Sequence, residues 1–419
     1  MALLDRIIKE HLPNQREYDA IKLKIDDFLN KIGYALKKSR YQAEIMLGGS
    51  AAKGTFLVKD FDVDIFIRFD YGYKERDISE LLEKVLIKIK DMKISRVHGS
   101  RDYFQVRYKG IKYEIIPVLK VQDSKKALNV TDMSPLHVEW LKKHLNGKFK
   151  NEIILAKLFC KAQGFYGAES YIRGFSGHVL DILIIYYGGF IETLKASQKW
   201  NINNLIDIEK HGTAEGLNQS KISPLIVIDP IQPERNAAAA LSEEKFRLFI
   251  EKAGEFLNKP SAKYFIKKEY KLNDLKKLSD KSKNTCLIVL NVNALEGKED
   301  IVGAKLLKAY RHILKHLSLN EFIVKDSGWK WDKAKKAMFW YVLNHKMLSE
   351  SVIRMGPPLN AKKATKSFKL KHPKAFEKDK RLYAPVNRLF RKPEDLINHL
   401  ITDTYFLEKV ERVTIKLKT

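Results

Sequence analysis

The chain has 419 residues, 45% of them hydrophobic, enough for roughly two to four folded domains with ordinary cores. Lys and Arg number 78 against 51 Asp and Glu, and the resulting net charge of +27 is spread along the chain, which points to a polyanionic partner. The longest apolar run, Val179 to Phe190, is shorter than the roughly 20 residues of a membrane span and contains Asp181; Cys160 and Cys286 lack metal-ligand spacing; so no membrane helix, disulfide framework or zinc site is expected.

The N-terminal residues Met1 to Arg6 carry no apolar stretch of the signal-peptide kind, so a cytoplasmic location is expected. From Asn14 to Lys38, Ile21, Ile25, Phe28, Leu29, Ile32 and Leu36 recur at helical spacing and predict an amphipathic helix. The segment Gly48-Gly49-Ser50 to Phe66 then reads as strand, loop and strand. In the alternating run Asp62-Val63-Asp64-Ile65-Phe66-Ile67-Arg68-Phe69, the two aspartates leave one face while Val63, Ile65, Ile67 and Phe69 form the other. Two adjacent carboxylates suit Mg²⁺, and a glycine turn opening a helix near Ser50 suits a phosphate. A Walker-type P-loop does not fit, because Lys53 precedes Gly54 instead of following it. Singly, each feature is an ordinary turn or a solvated strand face; together they read as a site for moving a nucleotidyl group.

Asp77-Ile78-Ser79-Glu80 resembles a capping box opening a helix with Leu81, Leu82, Val85, Leu86 and Ile89. Tyr103 to Tyr108 and Ile111 to Ile116, joined by Lys109-Gly110, read as a β-hairpin. Glu114 projects there with Lys112 and Ile116, opposite Ile111, Tyr113 and Ile115, and an acid among apolar neighbours needs a partner, either a metal ion or a lysine. Residues Pro135 to Leu194 carry a helical pattern containing the Val179 run, read as a buried core helix. Pro230 and Pro233 bracket a loop before Ala237 to Leu241, which reads as a helix with Arg235 in its first turn, where the dipole disfavours a cation. Beyond Lys259 the pattern is α+β, with a strand at Thr285 to Leu290 and a helix near Ala304 to Leu317. Between Ala361 and Arg381 nine Lys or Arg face two acidic residues, an RNA-contacting arm or a solvated loop.

Gly49-Ser50, Asp62-x-Asp64 and a later acid resemble the nucleotidyltransferase superfamily of DNA polymerase beta. Five collinear segments narrow the likeness: Thr131-Asp132-Met133-Ser134-Pro135-Leu136-His137, Lys157 to Glu169, Gly174-Phe175-Ser176-Gly177, Asp229-Pro230-Ile231-Gln232-Pro233-Glu234-Arg235-Asn236 and Arg354-Met355-Gly356-Pro357-Pro358. These resemble the archaeal, class I CCA-adding enzymes over nearly the whole chain. The resemblance implies a multidomain fold of α/β and α+β class: a polymerase-beta-like nucleotidyltransferase head (1–135, mixed or antiparallel sheet with helices), a helical nucleotide-binding neck (136–258), and an α+β, tRNA-binding body and tail (259–419).

It also implies untemplated addition of C, C and A to the tRNA 3′ end from CTP and ATP. Asp62, Asp64 and Glu114 would be the catalytic residues and metal ligands, holding two Mg²⁺ about 4 Å apart so that pyrophosphate leaves in line. Gly49, Ser50, Lys53, His137, Lys157, Tyr166 and Arg235 would bind the nucleotide, with Arg235 choosing C and A over U and G. The implied partners are the acceptor stem and T arm of tRNA, with no membrane, and the oligomeric state, homodimer included, stays open. Three positions depart from the family pattern: Glu114 stands where aspartate is usual, Lys53 where arginine is common, and Gln232 where an acid is found. The alternatives are an RNA-tailing transferase of narrower output, adding only A or only CC, and a non-catalytic RNA-binding protein with a decayed head.

Overall fold

A computed structural model describes residues 2–57, 62–90, 92–145, 147–268, 274–275, 285–344 and 347–418. The loop residues 58–61, which the sequence reading set before the aspartate strand, lie outside the described residues. The chain divides into two compact units, Met1–Lys268 and Glu269–Thr419.

In the first unit, a short helix α1 (Ala2–His11) precedes α2 (Gln15–Ser39), which opens at a capping box where the Asn14 side chain accepts from Glu17 N–H and Glu17 returns the bond. A five-stranded sheet follows from β1 (Ala43–Leu47), β2 (Val63–Phe69), β3 (Ile94–Val97), β4 (Tyr103–Tyr108) and β5 (Ile111–Leu119), in the order β1-β2-β5-β4-β3. Only the β2–β5 pairing is parallel; the sheet is mixed. The β4–β5 turn has Lys109 and Gly110 both at positive φ (47° and 80°), the geometry of a two-residue hairpin turn matched to strand twist.

The two faces of this sheet have different tasks. Val63, Ile65, Ile67, Phe69, Tyr113 and Ile115 are buried under α2 and α4 (Ile78–Leu86), with Phe28 stacked on Tyr113 at 3.9 Å between ring centres. The other face carries Asp64, Phe66, Glu114, Ile116 and Val118 and meets α3 (Gly49–Lys53) and α5 (Ser134–His144) through Ala52 and Val138. Period-two alternation thus separates a core face from an acid face.

Residues 134–265 are mainly helical. Helix α6 (Gly147–Gln163) is buried almost all round from Ile153 to Cys160, as expected of a helix inside a bundle. The ring of Phe159 meets those of Phe165, Phe190, Phe249, Phe256, Tyr264 and Phe265. The Val179 run forms the expected buried helix, α7 (Gly177–Tyr187), with Val179 to Ile184 buried, but the helix stops before the run does: Gly188 is in the left-handed conformation (φ 84°) and α8 (Phe190–Ser197) starts after Gly189. A small parallel pair, β6 (Asn204–Ile206) and β7 (Leu225–Val227), leads to α9 (Glu243–Asn258). Cys160 and Cys286 are both buried.

The second unit contains an antiparallel sheet of β8 (Thr285–Asn293), β9 (Val324–Trp331), β10 (Lys336–Asn344) and β14 (Arg412–Lys418), ordered β14-β8-β10-β9, whose core includes the helix Glu299–Leu319. A three-stranded sheet, β11 (Ser351–Pro358), β13 (Arg381–Asn387) and β12 (Phe376–Lys378), completes it. The basic 361–381 segment is regular: Lys362–Lys371 is a helix whose Phe368 ring fills the space beside Gly356 of β11. Among the described residues no helix is long and apolar enough to cross a membrane.

Candidate active site

The parallel pairing of β2 with β5 puts Asp64 directly opposite Glu114. Both leave the acid face, and Asp62, one residue before β2, joins them through Lys112, whose Nζ donates to Asp62 Oδ2 and to Glu114 Oε1 at 2.9 Å each. Glu114 Oε1 also accepts from Gln105 Nε2 on β4 at 2.8 Å. The lysine that the sequence offered as a partner for Glu114 is Lys112. The extra methylene of glutamate is accommodated by this pair of side-chain bonds, with the β2–β5 register kept through residue 114.

Gly49 has φ +53°, and a Cβ there would lie 1.7 Å from Asp64 Oδ2, so only glycine lets the α3 backbone sit against this carboxylate. Gly48 N–H donates to the Asp64 carbonyl at 2.8 Å, fixing turn to strand. Ser50 is half-buried in the first turn of α3. Burial, then the negative charges of Glu114 and Asp62, push the Asp64 carboxyl up to about 7, with Lys53 and Lys112 opposing. The acids that raise it suit a cation better than solvent: concentrated like charges, a carboxylate seated on backbone, and an ammonium already between two of them.

The lysines occupy a second cluster. Lys53 Nζ donates to Asp181 Oδ2 at 2.6 Å, and Asp181 is fully buried on α7. Lys157, on α6 and 5% exposed, donates from Nζ to Thr55 Oγ1 at 3.0 Å. Its ammonium is lowered to about 8, mainly by burial, which Asp181 opposes and Lys53 and Lys161 reinforce. Tyr166 lies beside it: a Cβ at Gly177 would meet Tyr166 Oη at 3.1 Å and Lys157 Cε at 3.8 Å.

A third cluster is centred on Asp229, which is fully buried. Its Oδ1 accepts from His137 Nε2 (2.8 Å) and from the N–H groups of Ile231 (2.9 Å) and Gln232 (3.1 Å); its Oδ2 accepts from Arg235 Nη1 (3.0 Å). His178 Nε2 is 3.5 Å from Oδ2, and its ring is 4.4 Å from that of His137. Against the cost of burial, the bond from His137 and the nearby His178 imidazole hold the Asp229 carboxyl well below the carboxylate range. His137 is lowered, chiefly by burial. The ligand atoms of His137, His178 and Asp229 lie within 4.8 Å of one another, a spacing a metal could use, but Asp229 is already saturated by two backbone N–H groups, an imidazole and a guanidinium.

The helix read into Ala237–Leu241 does not form. Asn236 explains it: Oδ1 accepts from Val227 and Ala238 N–H while Nδ2 donates to Lys221 O and Ser223 Oγ, and Ile228 bridges Asn236, so these residues cross the β7 edge as turns. Arg235 is therefore compensated by Asp229 and not by an anion at a helix end. Gln232, standing where the family has an acid, does not loosen Arg235, because the ordering carboxylate is at 229.

The expected residues thus form three clusters, Gly49 with the acids, Lys53, Lys157 and Tyr166 near Asp181, and His137 with Arg235 on Asp229; α3 links the first two. Sequence reasoning missed Thr55, His178 and the anchoring roles of Asp181 and Asp229. Asp181 had a signal: an acid inside an apolar helix must find a cation.

Residues 29–128 match the nucleotidyltransferase domain family, 151–266 the second domain of tRNA nucleotidyltransferases, and 283–412 the C-terminal domain of CCA-adding enzymes. A solved structure of the poly(U) polymerase Cid1 bound to MgATP shares the fold, with a TM-score of 0.50 at 13% identity over 63% of this chain and 98% of that one. The CCA-adding enzyme of Methanocaldococcus jannaschii is 30% identical over 412 residues, 95% of this chain and 90% of that protein. That of Nanoarchaeum equitans is 36% identical over 391 residues, 91% of this chain and 92% of that protein. Similarity of this degree, carried through nearly the full length of both chains, makes this chain a member of the family of CCA-adding enzymes.

Proposed function

We propose that the chain adds C, C and A to the 3′ end of tRNA from CTP and ATP, without a nucleic-acid template, in the cytoplasm. The head (1–135) is the catalytic part, the neck (136–258) reads the nucleotide, and the body and tail (259–419) hold the acceptor stem and T arm. The observation that carries this reading is the in-register pair Asp64 and Glu114, with Gly49 backed onto Asp64. Asp62, Asp64 and Glu114 would hold two Mg²⁺, which when bound supply charge neutralisation and lower the pKa of a ligated hydroxyl.

The protein's own groups do the rest. The Gly49 backbone and Ser50 receive the triphosphate, and Lys53 and Lys157 neutralise it, the latter drawing on the cost of its own burial, which an incoming anion relieves. Tyr166, beside Lys157, narrows the same wall and excludes water that would compete with the RNA hydroxyl. Asp229 fixes the His137 ring through Nε2, leaving Nδ1 for substrate, and aims Arg235, half-exposed, at the base edge. The +27 charge suits an A-form RNA gripped through phosphates.

The test is a timed assay on tRNA lacking its terminal CCA, with CTP, ATP or both. Stepwise extension by two C from CTP and completion by A only when both are present is expected; extension by only C or only A when both are present, or extension by UTP, contradicts the reading.

A further inference from the structure

The strongest unassigned group in the site is Lys112. Strand periodicity puts it on the acid face two residues before Glu114, and its ammonium bridges Asp62 and Glu114, the outer and the inner acid, at 2.9 Å from each. The contact is built, not incidental: the Glu114 oxygen that Lys112 reaches, Oε1, also accepts from Gln105 Nε2, and the Lys112 side chain is only 27% exposed. Resting on the reading of these acids as metal ligands, we propose that Lys112 is an internal counter-ion that keeps the carboxylate site assembled in the metal-free protein and must leave at least one acid for a divalent cation to bind.

The physical grounds are charge and size. Three carboxylates on one strand pair repel unless a cation sits among them, and like charges directly opposite destabilise a sheet. Lysine supplies one positive charge on a flexible stem, so it can withdraw without moving β5. An ammonium 2.9 Å from two oxygens spreads them to about 4.7 Å for a tetrahedral angle, whereas two oxygens on one Mg²⁺ at about 2.1 Å lie about 3 Å apart, so both cations cannot share both oxygens. Lys112 therefore competes with the metal: it lowers affinity for the free ion and offsets the repulsion among the acids.

The test uses the full-length protein and Mn²⁺ alone, without nucleotide, titrated by calorimetry into the wild type, Lys112→Met, Lys112→Gln and Lys112→Arg. Removing the charge should tighten Mn²⁺ at least about tenfold, while arginine stays within a few-fold of wild type. Thermal melts should show Lys112→Met and Lys112→Gln less stable than wild type in EDTA and more strongly raised by Mn²⁺. Unchanged or weaker Mn²⁺ affinity in both uncharged variants overturns the counter-ion role. If one of them does not fold, the other decides. Asp64→Ala serves as control: Mn²⁺ uptake that is absent from wild type, or undiminished by this substitution, overturns the metal reading instead.

Discussion

Replacing Asp64 by asparagine should stabilise the metal-free protein at neutral pH while leaving it unchanged in acid. The Asp64 carboxyl is raised from 3.8 to about 7 by burial and by Glu114 and Asp62. A raised acid means the folded state keeps a proton that the unfolded state loses. Between pH 3.8 and about 7 stability therefore falls as pH rises, by at most 1.36 kcal/mol per pH unit, and levels off above. A shift of about 3 units sets a ceiling of about 4 kcal/mol, and relaxation of the partly open site makes about 2 kcal/mol the working figure. Asparagine keeps the shape and removes the titration. The assay is urea unfolding in EDTA at pH 4, 5, 6, 7 and 8 for both proteins: the curves should meet near pH 4, separate in favour of Asp64→Asn as the pH rises to about 7, and run parallel above it. A constant offset at every pH, or a variant less stable at pH 8, refutes the account of a strained, like-charged acid cluster.

Two further substitutions probe the scaffold. Gly49→Ala places a methyl group at φ +53° and 1.7 Å from Asp64 Oδ2; the left-handed backbone costs about 1 kcal/mol, and displacement of the acid should lower nucleotide incorporation by about 100-fold or more with tRNA affinity retained. Incorporation within threefold of wild type contradicts the close approach. Asp229→Asn removes the charge that holds Arg235 and His137, and should cost about 3 kcal/mol of stability at pH 7, a difference that vanishes as the pH falls below the ordinary 3.8 and the depressed wild-type carboxyl at last takes its proton. The same variant should admit UTP more readily; unchanged base selectivity would separate Asp229 from the reading pocket.

Much of the site was legible because strand periodicity is local. Counting in twos puts Asp62 and Asp64 on one face of their strand and Lys112 and Glu114 on one face of theirs, and Lys109-Gly110 announces its hairpin turn. What the sequence does not print is register between strands distant in the chain: nothing local says that residue 64 meets residue 114, or that Lys53 finds Asp181 128 positions later. The error at Ala237–Leu241 has the same origin. Four alanines carry strong helix propensity, but Asn236 offers the backbone four side-chain bonds and wins. Likewise the basic 361–381 segment looked like a solvated loop or an arm, and packing of Phe368 against Gly356, invisible in composition, makes half of it a helix.

In the proposed function Asp64 serves chemistry and not RNA binding. Incorporation of CTP and ATP into tRNA lacking its CCA end, measured beside tRNA affinity for wild type and Asp64→Ala, tests it most directly. Incorporation should disappear in the variant while tRNA affinity stays within about twofold; incorporation that survives the substitution, or is lost together with tRNA binding, contradicts it.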